Sequence, residues 1–381
     1  MAQGSHLVAR FRGTDHTAVA ESLRLTSQDT KLGDIGEAGL LRHLRGRIPV
    51  APDVPVGIGD DAAVVSLPPS ALVTTDSLVE GVHFLRDSTP ARLLGRKALT
   101  VNLSDIAAMG GISRHALVSL CLPSRLELSW VDSLYDGLLE RAAEVGVSIV
   151  GGNVARSPDS IVIDVTLVGE VEVPLLRSGA KPGDVVVVTG ELGAAAEGVE
   201  LLRQGARLDD DAELSATGVW TESSAEAVLT CLIAQLDPRP PLALARSLAE
   251  RGLARAGMDI SDGLSSDLAE LCRQGNLGAR VEAGGIPVSA AVSRLARAGG
   301  GDGLARALHG GEDYELLLAV DPARFEELQE LASVWGVPVS AVGEFFEGSP
   351  TVRLRDDTGE RPMPAGGHDH FHAKELEDRT E

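Results

Sequence analysis

Aromatic side chains make up only 3% of this 381-residue chain, so it lacks the stacking platforms on which single-stranded nucleic acids are held. Basic residues are also short: 34 Lys and Arg stand against 56 Asp and Glu, a formal charge of −22. A field of that sign repels nucleic acids and anionic lipid surfaces, and an anionic substrate needs metal ions or a local basic pocket to enter. Cysteine is scarce. Cys121, Cys231 and Cys272 form no C-x-x-C pair, and each sits in an apolar run, so buried reduced thiols are expected. No apolar stretch has the length of a membrane span, and residues 1–30 lack the apolar core of a signal peptide. A cytoplasmic protein without membrane or nucleic-acid partners is therefore expected. There is no Walker A loop, no G-x-S-x-G elbow and no protein-kinase signature. Any nucleotide must be held through metal and carboxylates.

What the chain does have is abundant Ala, Val, Leu and Gly, the make-up of an alternating α and β core. Its length exceeds most single cores, so two domains are the default. Residues 1–30 read as a disordered extension, 31–175 as an N-terminal domain, 176–375 as a C-terminal α/β domain and 376–381 as a tail. The boundary rests on the turn signals Pro174 and Lys181-Pro182-Gly183-Asp184. Short strands are expected over 56–59, 62–67 and 71–75, and a long helix begins at Pro90 and runs to about Met109. The polar, acidic stretch 205–222, with Asp209-Asp210-Asp211, reads as a surface loop.

Four acidic patches lie inside apolar, glycine-punctuated stretches: Gly59-Asp60-Asp61-Ala62, Thr74-Thr75-Asp76, Asn102-Leu103-Ser104-Asp105 and Asp259-Ile260-Ser261-Asp262-Gly263. Burying a charge costs several kcal/mol unless it is paired or bound to metal. No comparable set of Lys or Arg is interleaved with them. One site that gathers the carboxylates around several Mg²⁺ ions holding a polyphosphate is the economical reading, because carboxylate and hydroxyl oxygens suit hard cations. Asn102 and Asp105 share a face of the otherwise apolar Pro90 helix, with Lys97 a candidate neutralising partner. An internal hydrogen-bond network there is the plainer alternative, and a solvated turn is the plainer reading of Asp60-Asp61.

Gly57, Gly59 and Ala62 match the G-x-G-x-x-A dinucleotide pattern, but two carboxylates would repel the pyrophosphate, and the reading is rejected. Gly151-Gly152-Asn153, followed by Arg156, could approach a phosphate through backbone N–H groups or be a turn. Ser261 or Asp262 could cap a helix that begins there. Gly311-Glu312-Asp313-Tyr314 repeats a glycine-then-acid pattern before a strand, and His368-Asp369-His370 is a weak transition-metal signal.

In this order and spacing, the patches, together with Glu80-Gly81-Val82-His83-Phe84, Gly151-Gly152-Asn153, Gly311 to Tyr314 and Gly367 to Phe371, resemble the thiamine-monophosphate kinases. These belong to the aminoimidazole ribonucleotide synthetase-like superfamily. The resemblance covers roughly residues 31–372. It implies a two-domain α/β (α+β) fold whose N-terminal sheet pairs across a homodimer. It also implies ATP-dependent phosphorylation of thiamine monophosphate to thiamine diphosphate by direct γ-phosphoryl transfer with several Mg²⁺ ions. By motif match, Asp61, Thr74, Thr75, Asp76, Asp105, Asp259 and Asp262 would be metal ligands. Gly152, Asn153, Arg177, Ser261 and Tyr135 would bind the nucleotide, and His83, Glu312, Asp313 and His368 the thiamine phosphate. Asn153 and His368 depart from the family pattern, which has Asp and an aromatic there. The acceptor is already an ionised phosphate, so no general base is implied. The alternatives are another ATP-using enzyme of the superfamily, such as selenophosphate synthetase, and a non-catalytic nucleotide- or thiamine-phosphate-binding protein.

Overall fold

The computed structural model describes residues 30–49, 53–54, 57, 63–67, 70–299, 301–363 and 366–367. Asp61, His368 and the segments expected as extension and tail lie outside the described residues, apart from Thr30. The first half runs α1 (Leu32–Arg47), β1 (Ala71–Val79), α2 (Ala91–Ala108), β2 (Ile112–Pro123), α3 (Leu128–Val145), β3 (Ser148–Ser157) and β4 (Val162–Glu170). Its four strands form a sheet in the order β1-β4-β2-β3. β4 is antiparallel to both β1 and β2, whereas β2 and β3 are parallel and joined through α3, as a parallel pair requires. The strand expected over 62–67 is not formed by the described residues 63–67.

Alternation along β1 sends Leu72, Thr74, Asp76 and Leu78 to one face and Val73, Thr75 and Ser77 to the other. The first face packs under α2 and α3 with Ile163, Val165, Leu167, Val118 and Leu120. The second is open, with Val73 67% and Leu117 40% exposed. Cys121, in contrast to the expectation of burial, is partly exposed on β2, while Cys231 and Cys272 are buried. Burial pushes those two thiols up to about 12 and so keeps them protonated.

Pro90 sits at the N-cap of α2, and every residue of that helix except Arg92 and Asp105 is buried. A helix buried all round must be covered on all sides. Here the first sheet and α3 cover one side, and α6 (Leu242–Glu250) and β8 (Ala256–Ile260) of the second half cover the other. Glycines permit the α2–α3 crossing: a Cβ on Gly95 would lie 2.0 Å from the Leu134 carbonyl oxygen, and one on Gly137 1.8 Å from that of Arg92.

The second half contains, besides α6 and β8, β5 (Val185–Thr189), α4 (Ala194–Arg203), β6 (Ala206–Leu208), β7 (Leu214–Thr217) and α5 (Ala225–Leu236). After β8 come α7 (Leu264–Gly275), β9 (Gly278–Glu282), α8 (Ala290–Gly299), α9 (Gly303–His309), β10 (Glu315–Val320), α10 (Phe325–Val334), β11 (Val339–Phe346), β12 (Val352–Asp356) and β13 (Gly359–Pro362). Seven strands form a sheet in the order β13-β12-β9-β11-β5-β10-β8. The edge strand β8 carries Asp259 and faces α2.

The stretch expected as a loop over 205–222 contains the β6–β7 hairpin instead. Ala206 and Leu208 anchor it in an apolar cluster with α5 and α8, and Asp211 at its tip pairs with Arg92 of α2 at 2.7 Å. The acidic turn masks a short apolar alternation, and its charges made the segment look uniformly solvated.

Candidate active site

Three elements bring carboxylates together where the two halves meet. Asp76 comes from the inner face of β1, Asp105 from α2 and Asp259 from β8. The Thr74 hydroxyl donates to an Asp105 carboxylate oxygen at 2.5 Å. The Ser104 hydroxyl donates to Asp259 at 2.7 Å, across the junction of the two halves. Burial, followed by the charges of Asp105 and Asp259, pushes the Asp76 carboxyl up to about 7. Burial and Asp105 likewise push Asp259 up to about 6, although Ser104 and the charge of exposed Arg177 pull the other way. Such raised values mean that the carboxylates are desolvated, and crowded together, without enough counter-charge.

Among the described residues no three His, Cys, Asp or Glu side chains form a finished metal cage. The chemistry of the donor set still fits a hard divalent cation. It offers carboxylates and a hydroxyl and contains an orphaned oxygen, the Asn102 Oδ1, which is fully buried without a hydrogen-bond partner one turn before Asp105.

β8 ends at Ile260, so Asp259 is its penultimate residue, and Gly263 rather than Ser261 or Asp262 stands at the N-cap of α7. Asp262 is exposed at this turn and Ser261 half-buried. Asp267, buried in the first turns of α7, accepts hydrogen bonds from the backbone N–H groups of Asp262 (3.2 Å) and Gly263 (3.0 Å). Burial and the charges of Asp262 and Asp259 push its carboxyl up to about 8. Sequence reasoning missed Asp267, which lies one residue beyond the position at which a capping-box acid reaches back to its helix start. Just before the tail, Gly367 N–H donates to Ser266 Oγ at 2.9 Å, which docks the chain beside Asp262 immediately ahead of His368.

The loop before β10 closes the other side. Glu312 N–H donates to the Ser261 carbonyl at 2.7 Å and Tyr314 N–H to that of Ile260 at 2.8 Å. Glu312 (φ 68°) and Tyr314 (φ 51°) both adopt left-handed backbone, uncommon for such residues and frequent at functional loops. Lys97, expected near Asp105, instead pairs with Glu312 at 2.7 Å. The two positions are separated by about 12 Å of helix axis. Gln235 of α5 donates to the other Glu312 oxygen at 2.6 Å. Burial raises the Glu312 carboxyl, but Lys97 and Gln235 outweigh it and hold the group below its ordinary value. The charge of His83 acts on Glu312 as well, while the His83 Nδ1 accepts from Val79 N–H at 3.0 Å, which places any ring proton of the neutral form on Nε2. Burial first, then Glu312, Asp259, Asp76 and Asp105, drive the Tyr314 hydroxyl far above its usual range, so it stays a donor.

Five other positions do not join this cluster. The Thr75 side chain points to the opposite sheet face, where it meets Thr166 and Asp164; period-2 alternation cannot put consecutive residues on one face. Gly152 and Asn153 lie on β3, three strands or roughly 14 Å from β1, at the other edge of the sheet. Asn153 is in register with Ser119 of β2 and exposed. Tyr135 is 4% exposed, on the face of α3 that packs into the first core. Asp313 accepts from Gly193 N–H at 3.0 Å through both oxygens, capping α4.

A two-domain α/β architecture with an acidic, oxygen-rich seam between its halves defines the class, and sequence comparison agrees. Residues 59–171 match the AIR synthase related protein N-terminal domain and residues 181–355 its C-terminal domain. Thiamine-monophosphate kinase of Rhodopirellula baltica is 34% identical over 318 residues, covering 81% of this chain and 89% of that protein. The crystal structure of thiamine-monophosphate kinase from Stenotrophomonas maltophilia K279a superposes with a TM-score of 0.72 at 33% identity, covering 83% of this chain and 95% of that one. AaThiL complexed with AMPPCP and TMP has a TM-score of 0.68 at 31% identity, covering 90% of this chain and 100% of that one. The chain thus belongs to the AIR synthase related family and, within it, to the thiamine-monophosphate kinases.

Proposed function

We propose that this chain transfers the γ-phosphoryl group of ATP to thiamine monophosphate, giving thiamine diphosphate and ADP. The convergence of carboxylates from β1, α2 and β8 on one seam carries the reading. A terminal oxygen of the thiamine phosphate attacks the γ-phosphorus, the bond from that phosphorus to the β,γ-bridging oxygen breaks, and ADP leaves with the electron pair. The attacking phosphate is ionised near neutral pH, so no residue is assigned as general base. Thr74, Asp76, Asp105, Asp259 and Asp262, with Asp61 outside the described residues, would hold Mg²⁺. When bound, Mg²⁺ would neutralise the polyphosphate and the charge spread over the transferring group. The protein's part is positioning. Ser104 orients Asp259, Asp267 fixes the turn that carries Asp262, and Arg177 supplies positive charge at the seam.

The test is ADP release with ATP and Mg²⁺ in the presence of thiamine monophosphate, thiamine, an aminoimidazole ribonucleotide precursor or selenide. Turnover confined to thiamine monophosphate, with thiamine diphosphate as product, is expected. Turnover with another acceptor would overturn the substrate, and tight binding without ADP would favour a binding protein. No described helix is long and apolar enough to cross a membrane.

The open sheet face bearing Val73, Thr75, Ser77 and Leu117 supports pairing of two copies through the first sheet. Val73→Lys is expected to shift the protein from dimer to monomer in analytical ultracentrifugation. A monomeric parent would sink the pairing, and an unshifted variant would move the interface elsewhere.

A further inference from the structure

We propose that Lys97 is a positioning residue for phosphoryl transfer: it fixes the Glu312 carboxylate, ionised, at the seam between the two halves. The inference rests on the phosphotransfer reading above. Lys97 is 3% exposed in the middle of α2, and its Nζ lies 2.7 Å from Glu312. A buried ammonium is costly unless paired, and Glu312 is the carboxylate it meets.

Glu312 is held from three sides. Lys97 takes one carboxylate oxygen and Gln235 the other, while its own N–H is tied to the Ser261 carbonyl. Its left-handed backbone is the less favoured conformation for a side chain of this kind and needs such ties to persist. The same helix that carries Lys97 carries Asp105 two turns on, and the loop that Glu312 grips carries Asp259 and Asp262. Lys97 therefore links the α2 contribution to the site with the β8–α7 contribution. The neighbouring Arg96 pairs with Asp237 at the end of α5, so consecutive residues of α2 are tied to α5, Arg96 directly and Lys97 through the Glu312 carboxylate that Gln235 shares. A protonated His83 would add to the same hold on the Glu312 carboxylate.

The experiment compares wild type, Lys97→Met, Glu312→Gln and the double variant Lys97→Met/Glu312→Gln in steady-state thiamine diphosphate formation and in thermal unfolding. Lys97→Met is expected to lose about 10²-fold in kcat/KM for thiamine monophosphate, with KM for ATP changed less than about threefold. A merely structural lesion would move both substrates together. In the double variant no lone charge is buried, so folding is expected to recover while kcat/KM stays low. This arm decides even if Lys97→Met alone fails to fold. Lys97→Met within about threefold of wild type would overturn the proposal, and so would a double variant that regains activity along with its melting temperature. Wild type silent with thiamine monophosphate would instead sink the phosphotransfer reading, and this inference with it.

Discussion

Asp105→Asn is expected to lower kcat by about 10²- to 10³-fold, a loss typical of removing one preorganised electrostatic contact from a transition state. The change keeps the shape of the side chain and its room for the Thr74 hydroxyl, which sits 2.5 Å away. What it removes is one of the charges crowded with Asp76 and Asp259. Relief of that crowding makes the apo protein no less stable, so the melting temperature is expected to hold or rise while activity collapses. Opposite movements of stability and rate distinguish a functional charge from a structural one. The check is ADP release beside a thermal melt of the same preparation. Near-normal turnover would remove Asp105 from the site; a large fall in melting temperature would show that it holds the fold instead.

The second large effect lies outside the acidic seam. Asp237, 6% exposed at the end of α5, accepts hydrogen bonds from Arg96 (3.0 Å), Arg141 and Arg239 (2.7 Å). Arg96 and Arg141 belong to α2 and α3 of the first half, so this carboxylate joins the halves. Burial alone would raise its pKa, but Arg141 and Arg96 hold it below the ordinary carboxylate value. Asp237→Ala leaves two buried guanidinium groups short of a partner, a lesion that costs about 3–5 kcal/mol. Glu140 and Glu144 still reach Arg96, which favours the lower end. In a chain of this size that corresponds to a drop of roughly 10 °C in melting temperature, readable by differential scanning calorimetry. A shift under about 2 °C would mean that desolvating these charges cancels their attraction.

Much of this protein was legible without coordinates. Apolar runs and turn residues placed α2, α3, β5 and β10 close to where they lie, because long periodic segments announce themselves. The order of Thr74-Asp76, Asn102-Asp105, Asp259-Asp262 and Glu312-Asp313 identified the family, since a cation site needs oxygen donors whatever their distance along the chain. Composition set the charge, and the absence of a G-x-x-x-x-G-K-[ST] run excluded a P-loop.

Direction and partnership were not legible. Thr75 sits between Thr74 and Asp76 in sequence, but the pleat turns it to the opposite face. Lys97 shares a helix with Asp105 and yet reaches for Glu312, because only the packing of α2 against the second half decides what stands beside its ammonium. Asp313 looked like a substrate ligand and caps α4, and Asn153 lies a whole sheet away from Asp76. A residue's type is local, so sequence fixes which chemistry it can do. Its partners are set by strand order and helix packing, contacts between residues far apart along the chain, and only the tertiary structure decides those.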